Sequence, residues 1–359
     1  MAQTIRWGIL GTGGIARGFA EGLKVLPDAK LQAVASRTQE KADRFAREVG
    51  AVRGYGDYAA LVSDREIDAV YIATPHHRHK DDCLLCLDAG KPVLCEKPFT
   101  VDAAEAREVM TRAREKGVFC MEAMWMRFMP LILEAREQIK RGAIGEPRAL
   151  LADFGYPTPY DPESRFFNRE LGGGALLDRG VYGISLAYFL FGRPSGVSGA
   201  AGMAPTGVDE QSVYTLTYPD GKIAQVYSSL GVRSTNAATI MGTQGRLTLT
   251  EPFFSPAHLR LLSYEQPQPE NSKANNGGGG LASRLKQNPA AVTLYRAAKK
   301  IMGSGETVIT RPVTGNGYNY EASEVMRCLR AGEKESPIMP LHETVAIMET
   351  MDSIRKTWI

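Results

Sequence analysis

Disulfide scaffolding is the first thing the chain lacks. Five cysteines among 359 residues, at positions 83, 86, 95, 120 and 328, are too few and too scattered for a framework, and an odd number leaves at least one thiol free. No apolar run approaches the ~20 residues of a membrane span. The opening MAQTIRWGILG runs straight into an apolar stretch without a basic leader, a long apolar core or a small-residue cleavage site, so no secretory signal is visible and a reducing cytoplasm is the expected compartment. Charge of one sign is lacking as well. Lysine and arginine number 43 against 40 acids, for a net charge of +3, and no basic cluster is interleaved with aromatics, which excludes the footprint of a nucleic-acid binder. There is no internal repeat and no heptad pattern. What remains is an ordinary globular composition, 43% hydrophobic and 23% charged, with length enough for two cored domains and with small molecules as the expected partners.

From residue 5 to about 120 the chain alternates apolar runs with amphipathic stretches: IRWGIL, a helix-like segment from Ile15, then LQAVAS, DAVYIAT and PVLCE. Spacing of about a helix length between runs predicts βαβ units and a parallel sheet, hence an α/β fold. Beyond Met121 longer alternating strands appear, in GEPRALLADFGY and in QSVYTLTYPDGKIAQVYSSL, where PDGK supplies hairpin chemistry. The expected organisation is therefore a parallel-sheet domain over residues 1–123 and a second domain over 124–359 with a largely antiparallel sheet. PQPENSKANNGGGG, Pro267 to Gly280, has the composition of a surface loop leading into a basic helical stretch that ends near 303, and the last sixty residues return to helices.

WGILGTGGIARGFA places Gly11, Gly13 and Ala16 as G-x-G-x-x-A between an expected strand and an expected helix. That is the dinucleotide fingerprint in its proper context. The first glycine makes the tight turn, the second admits the pyrophosphate, and the small third residue lets helix and strand pack; Thr12, Gly14 and Ile15 complete the loop. The second strand ends in Ser36 and Arg37, where an acid would hold the free 2′-hydroxyl of NAD. A hydroxyl and a guanidinium suit a 2′-phosphate, so NADP is favoured over NAD, with Thr38 and Lys41 as further contacts.

Three histidines, two aspartates and two cysteines crowd TPHHRHKDDCLLC, but their spacing matches no zinc finger, and Cys83 with Cys86 suits the apolar side of a helix; no metal is expected. In VLCEKPFT, Lys97 follows an expected buried strand and precedes a proline, at the carboxyl end of the parallel sheet where a cofactor crevice opens. ELGGGALLDRGVYGISLAYFLFG runs from a glycine-rich loop into a helix on which Asp178 and Tyr182, four residues apart, share a face. An acid and a phenol beside a lysine make a proton-transfer site, the cation favouring tyrosinate. Trp125, Arg127 and Phe128, with Phe154 on the first long strand of the second domain, suggest an apolar pocket wall with one fixed cation.

With the glycine loop, IATPHHRHK, EKPFT and GGGALLDRGVY in that order, the chain resembles the Gfo/Idh/MocA oxidoreductases over nearly its whole length. MEAMWMRFMP, the triple glycine at 172–174 and the tyrosine four residues after the aspartate look most like the branch of dimeric dihydrodiol dehydrogenases and NADP-dependent D-xylose dehydrogenases. The resemblance implies an N-terminal Rossmann domain, doubly wound, and a C-terminal α/β domain whose open sheet often serves dimerisation, so a homodimer or higher homo-oligomer is expected. It makes the lysine of Glu96-Lys97-Pro98 catalytic, often with the proline cis. It carries the ribose-lining TP segment onto Thr74, Pro75, His76 and His79, and it sets Trp125 to Arg127 beside the nicotinamide and Trp125 with Phe154 in the substrate pocket. Many relatives hold histidine where Tyr182 stands. The expected activity is an NADP-dependent dehydrogenase of an aldose or vicinal diol, Tyr182 taking the hydroxyl proton, Lys97 orienting that hydroxyl and Asp178 holding substrate and lysine. Two alternatives share the sequence: a reductase of a ketosugar or other carbonyl, and a non-catalytic NADP sensor.

Overall fold

A computed structural model describes residues 3–264 and 305–358. The segment expected as a loop and basic helix over 267–303 lies outside the described residues.

Six strands, β1 (Ile5–Leu10), β2 (Ala29–Ala35), β3 (Arg53–Tyr55), β4 (Ala69–Ile72), β5 (Val93–Glu96) and β6 (Cys120–Ala123), form an all-parallel sheet in the order 3-2-1-4-5-6. Every residue of β4, β5 and β6 is buried, because crossover helices cover both faces; that is why these strands are apolar but for Glu96 and Glu122. The helices are α1 (Gly14–Leu23), α2 (Gln39–Val49), α3 (Tyr58–Ser63), α4 (His79–Asp88) and α5 (Ala103–Lys116). Thr38, Asp57 and Asp102 cap the starts of α2, α3 and α5, each side chain accepting a first-turn N–H, while Gly50 and Gly117 end α2 and α5 in the left-handed conformation. At the start of α1 no side chain does this: Gly13 stands at the cap.

After α6 (Pro130–Lys140) the chain builds a second sheet from β7 (Pro147–Gly155), β8 (Gly196–Met203), β9 (Asp209–Thr217), β10 (Ile223–Ser229), β11 (Ala238–Gly242), β12 (Gly245–Leu249), β13 (Leu259–Ser263) and β14 (Glu306–Ile309). Their order is 14-13-12-11-7-10-9-8, and only the β7–β10 pair is parallel. The expected PDGK turn joins β9 to β10, with Gly221 at φ +79 and its N–H donating to the carbonyl of Tyr218. One face packs on α7 (Val181–Phe191), burying Leu150, Tyr214, Leu216 and Val226. The opposite face carries the exposed Leu151, Val213 and Ile223. Two closing helices, α8 (Tyr318–Ala331) and α9 (Leu341–Arg355), return to the first sheet and pack on α1 and α5.

All five cysteines are free and buried, Cys83 and Cys86 on the inner side of α4. Among the described residues, no helix is long and apolar enough to cross a membrane.

Candidate active site

A cleft of about 990 Å³ runs along the carboxyl ends of β1, β2, β4 and β5. At one end lies the glycine loop. Gly11 has φ +102, and a Cβ there would stand 2.6 Å from the carbonyl oxygen of Ala73, so neither the turn nor the space admits another residue. Gly13 and Gly14 face open space, with nothing within 4 Å of a Cβ added to either. Together with the uncapped first-turn N–H groups of α1, they leave a cradle of backbone donors fit for a pyrophosphate. Thr12, Ile15, Ser36, Arg37 and Lys41 line the same end. Ala16 lies behind the loop, fully buried in helix–strand packing, and Thr38 is occupied as the cap of α2, accepting the Lys41 N–H at 3.4 Å.

Further along the cleft come Thr74, Pro75, His76, His79, Glu96 and Lys97. His79 is locked between two carbonyls, those of Pro98 and Thr74, each 2.9 Å from a ring nitrogen. His76 Nδ1 donates to the Gly172 carbonyl at 3.0 Å, which leaves Nε2 as an acceptor facing Arg165 Nη1 at 3.4 Å. Burial, followed by the charges of His79 and Lys97, pushes its pKa down to about 3, so the ring is neutral. The Lys97–Pro98 peptide is cis, as the resemblance implies.

Lys97, Asp178 and Tyr182 come together at the far end. The Lys97 ammonium donates to the main-chain oxygen of Asp178 at 3.0 Å and to its Oδ1 at 3.3 Å. Arg165 Nη1 reaches that same Oδ1 at 3.1 Å, and Arg179 Nε lies 3.7 Å from Oδ2. Burial alone would raise the Asp178 pKa; Lys97, Arg165, His76 and Arg179 outweigh it and hold the carboxyl well below its usual range. Asp178 rides on a single wide helical turn, Leu176–Gly180, that feeds into α7, where Tyr182 is the second residue. Its start is pinned by buried Asp209, which accepts the Leu176 N–H at 2.7 Å and the Ser212 hydroxyl at 2.8 Å.

Two expectations need correction. The Tyr182 hydroxyl does not meet the lysine: Lys97 Nζ lies 5.0 Å from the ring centroid, over its face. Burial first, then the carboxylate of Glu96, raises the Tyr182 pKa well above the ordinary phenol value, against a smaller lowering by the Trp125 hydrogen bond. The phenol is therefore protonated in the free protein rather than drawn towards tyrosinate. Arg127 is not at the cleft either. Its side chain is fully buried between α7 and α9, donating to the Ser185 hydroxyl at 2.8 Å and to the carbonyls of Ser185 and Ile338, with Glu343 as its ion-pair partner. The resemblance set it beside the nicotinamide with Trp125, but the single helical turn Trp125–Phe128 sends the two side chains to different neighbours. Phe128 is buried, 4% exposed.

Trp125 donates its indole N–H to the Tyr182 hydroxyl at 3.0 Å. An indole accepts nothing, so the phenolic hydrogen is free for another acceptor. Phe154 meets Tyr182 edge-on at 5.2 Å and stacks on Phe254 at 4.5 Å. Phe254, Arg165 and Gly172 are site residues that sequence reasoning missed. Phe254 and Arg165 carry no motif signal of their own. Gly172 was legible only as part of a glycine run, yet its φ of +77 and the 3.0 Å between an added Cβ and His76 Cβ show that it brings the second domain against the first. Among the described residues, no three His, Cys, Asp or Glu side chains are grouped so as to hold a metal ion.

Comparison with known proteins bears on this geometry. A family model described as an oxidoreductase family with an NAD-binding Rossmann fold matches residues 5–124, and a model of the Gfo/Idh/MocA C-terminal domain matches residues 132–248. Trans-1,2-dihydrobenzene-1,2-diol dehydrogenase of Mus musculus is 35% identical, and that of Homo sapiens 33%, each match covering 99% of this chain and 97% of the relative. Among solved structures, a 3-ketoreductase from Actinomadura kijaniata in complex with NADP and TDP-benzene superposes with TM-score 0.78 at 25% identity, covering 99% of this chain and 98% of that one. An aldose-aldose oxidoreductase from Caulobacter crescentus complexed with glycerol gives TM-score 0.80 at 21% identity, covering 99% and 97%.

Proposed function

The chain belongs to the Gfo/Idh/MocA oxidoreductase family, and on that premise we propose that it is an NADP-dependent enzyme acting on a hydroxyl of a sugar or vicinal diol, or on the corresponding carbonyl. The observation that carries this reading is the convergence of Lys97, Asp178 and Tyr182 at the end of a cleft whose other end is an anion cradle with Ser36, Arg37 and Lys41 beside it. Residues 11–15 would hold the pyrophosphate, and Ser36 with Arg37 the 2′-phosphate. When bound, the nicotinamide supplies or accepts hydride. The protein supplies the proton. Tyr182, protonated and with its hydroxyl fixed by Trp125, gives that proton to the substrate oxygen during carbonyl reduction and takes it back during alcohol oxidation. Lys97, held by Asp178, stabilises charge on the same oxygen.

Relatives named as dihydrodiol dehydrogenases, and an NADP-bound 3-ketoreductase as a fold neighbour, agree with chemistry run either way. The test is cofactor-linked absorbance with NADP⁺ and NAD⁺ against D-xylose, D-glucose and a trans-dihydrodiol, and with NADPH against ketosugars. Turnover with NADP(H), lost in Lys97→Met and Tyr182→Phe, supports the assignment. Cofactor binding with no turnover in either direction would leave a sensor.

A further inference from the structure

The charges around Asp178 do not balance. Lys97, Arg165 and Arg179 all lie within 3.7 Å of one carboxylate, and His76 adds no second negative charge. Glu96 is spent elsewhere, accepting from the Tyr71 hydroxyl and from the Lys97 backbone N–H at 3.1 Å. Even with Glu96 counted as ionised, one positive charge is left over beside a Lys97–Asp178 pair that is itself only 12% and 11% exposed. Arg179 is committed: its guanidinium donates to the carbonyls of Tyr156 and Ser229 and, at 2.6 Å, to the Thr158 hydroxyl. Arg165 is not. Its side chain is 43% exposed and lines the cleft, it uses Nη1 alone on Asp178 and His76, and among the described residues Nε and Nη2 have no hydrogen-bond partner. Stacking on Phe166, with the guanidinium carbon 4.0 Å from the ring centroid, holds the fork in place. The cofactor phosphates have their own donors at the glycine loop, at the other end of the cleft.

We propose that the substrate is a polyol bearing an oxyanion, a carboxylate or a phosphate, received by the free edge of the Arg165 guanidinium. The idea rests on the reading of this cleft as the hydride-transfer site and names the class of substrate it takes. A planar fork with two unpaired N–H groups matches an oxyanion bidentately, and the anion removes the unbalanced charge beside Lys97. A neutral sugar's hydroxyls can accept from the fork but leave the positive charge unbalanced.

Binding, measured separately from turnover, tests this. Tryptophan fluorescence, with Trp125 hydrogen-bonded to Tyr182, is followed at constant ionic strength in the NADP⁺-loaded protein as D-glucose, D-glucuronate or D-glucose 6-phosphate is added, in native protein and in Arg165→Gln and Arg165→Lys. The expected result is that one anion binds about tenfold or more tightly than D-glucose, that Arg165→Gln erases the preference and that Arg165→Lys keeps part of it. Preference for glucuronate makes the group a carboxylate, preference for the phosphate ester a phosphate. Glucose binding as well as either anion overturns the proposal. So does an Arg165→Gln variant that weakens NADP⁺ binding while the anion preference persists, because Arg165 then serves the cofactor. An anion preference that depends on Arg165, without hydride transfer to any substrate, would instead remove the catalytic reading and leave the binding one.

Discussion

The two sheets differ in what each can tolerate. The six-stranded sheet is covered on both faces, its central strands are fully buried, and chemistry gathers where they end; the eight-stranded sheet buries one face and leaves the other to solvent. In the first, every position of β4, β5 and β6 is packed. In the second, alternate residues of β7, β9 and β10 touch nothing within the chain's core. The contrast teaches where substitution should be felt: at the carboxyl ends of β1, β4 and β5, and at the helical turn and the loop around Arg165 and Gly172 that reach them.

Substitutions can break that comparison or sharpen it. The largest effect is expected at the strand ends: Lys97→Met, or Tyr182→Phe on the facing helix, should each lower kcat by roughly 10²–10⁴-fold with the fold intact by circular dichroism. Near-native turnover in either variant would move the chemistry elsewhere. Gly11→Val should cost about 3 kcal/mol or more, since it forces a branched side chain into φ +102 with a carbonyl 2.6 Å from its Cβ, and denaturant unfolding reads the loss. Glu122, on β6 and fully buried, has its pKa raised by burial from 4.5 to about 7. A raised folded-state value means stability is fullest below pH 4.5 and is lost as pH rises to 7, by an amount on the order of a few kcal/mol; Glu122→Gln should flatten that slope in urea midpoints measured across the range. Arg37→Glu should cut the preference for NADP⁺ over NAD⁺ by about tenfold or more in cofactor titrations. The smallest effect should come from the open face. Val213→Glu with Ile223→Glu should change monomer stability by about 0.5 kcal/mol or less, and we propose that it dissociates a homodimer formed through this face, as sedimentation would show.

The parallel sheet was legible because its strands have to be continuous apolar runs and its cofactor loop has to be glycine at defined intervals; β1, β4 and β5 fall where IRWGIL, DAVYIAT and PVLCE stand. Asp178 and Tyr182 were legible through helix periodicity, and Lys97 through its position after a buried strand. What could not be read is what depends on chain segments far apart in sequence. Arg127 looked like a pocket cation until Ser185 and Glu343 claimed it from 58 and more residues away. The protonation of Tyr182 depends on how much protein surrounds it, which spacing does not encode. Arg165 and Phe254 take part only because loops carry them to Asp178 and Phe154.

Consider again the bare start of α1. The capped helices α2, α3 and α5 complete their own first turns, whereas this one waits for a ligand's oxygens. Folding and cofactor binding are therefore linked: at a hundredfold excess of cofactor over its dissociation constant, mass action adds about 2.7 kcal/mol to the folded state. The melting temperature becomes a gauge of cofactor supply, and a cell short of the dinucleotide would hold this protein in a form more readily unfolded and degraded.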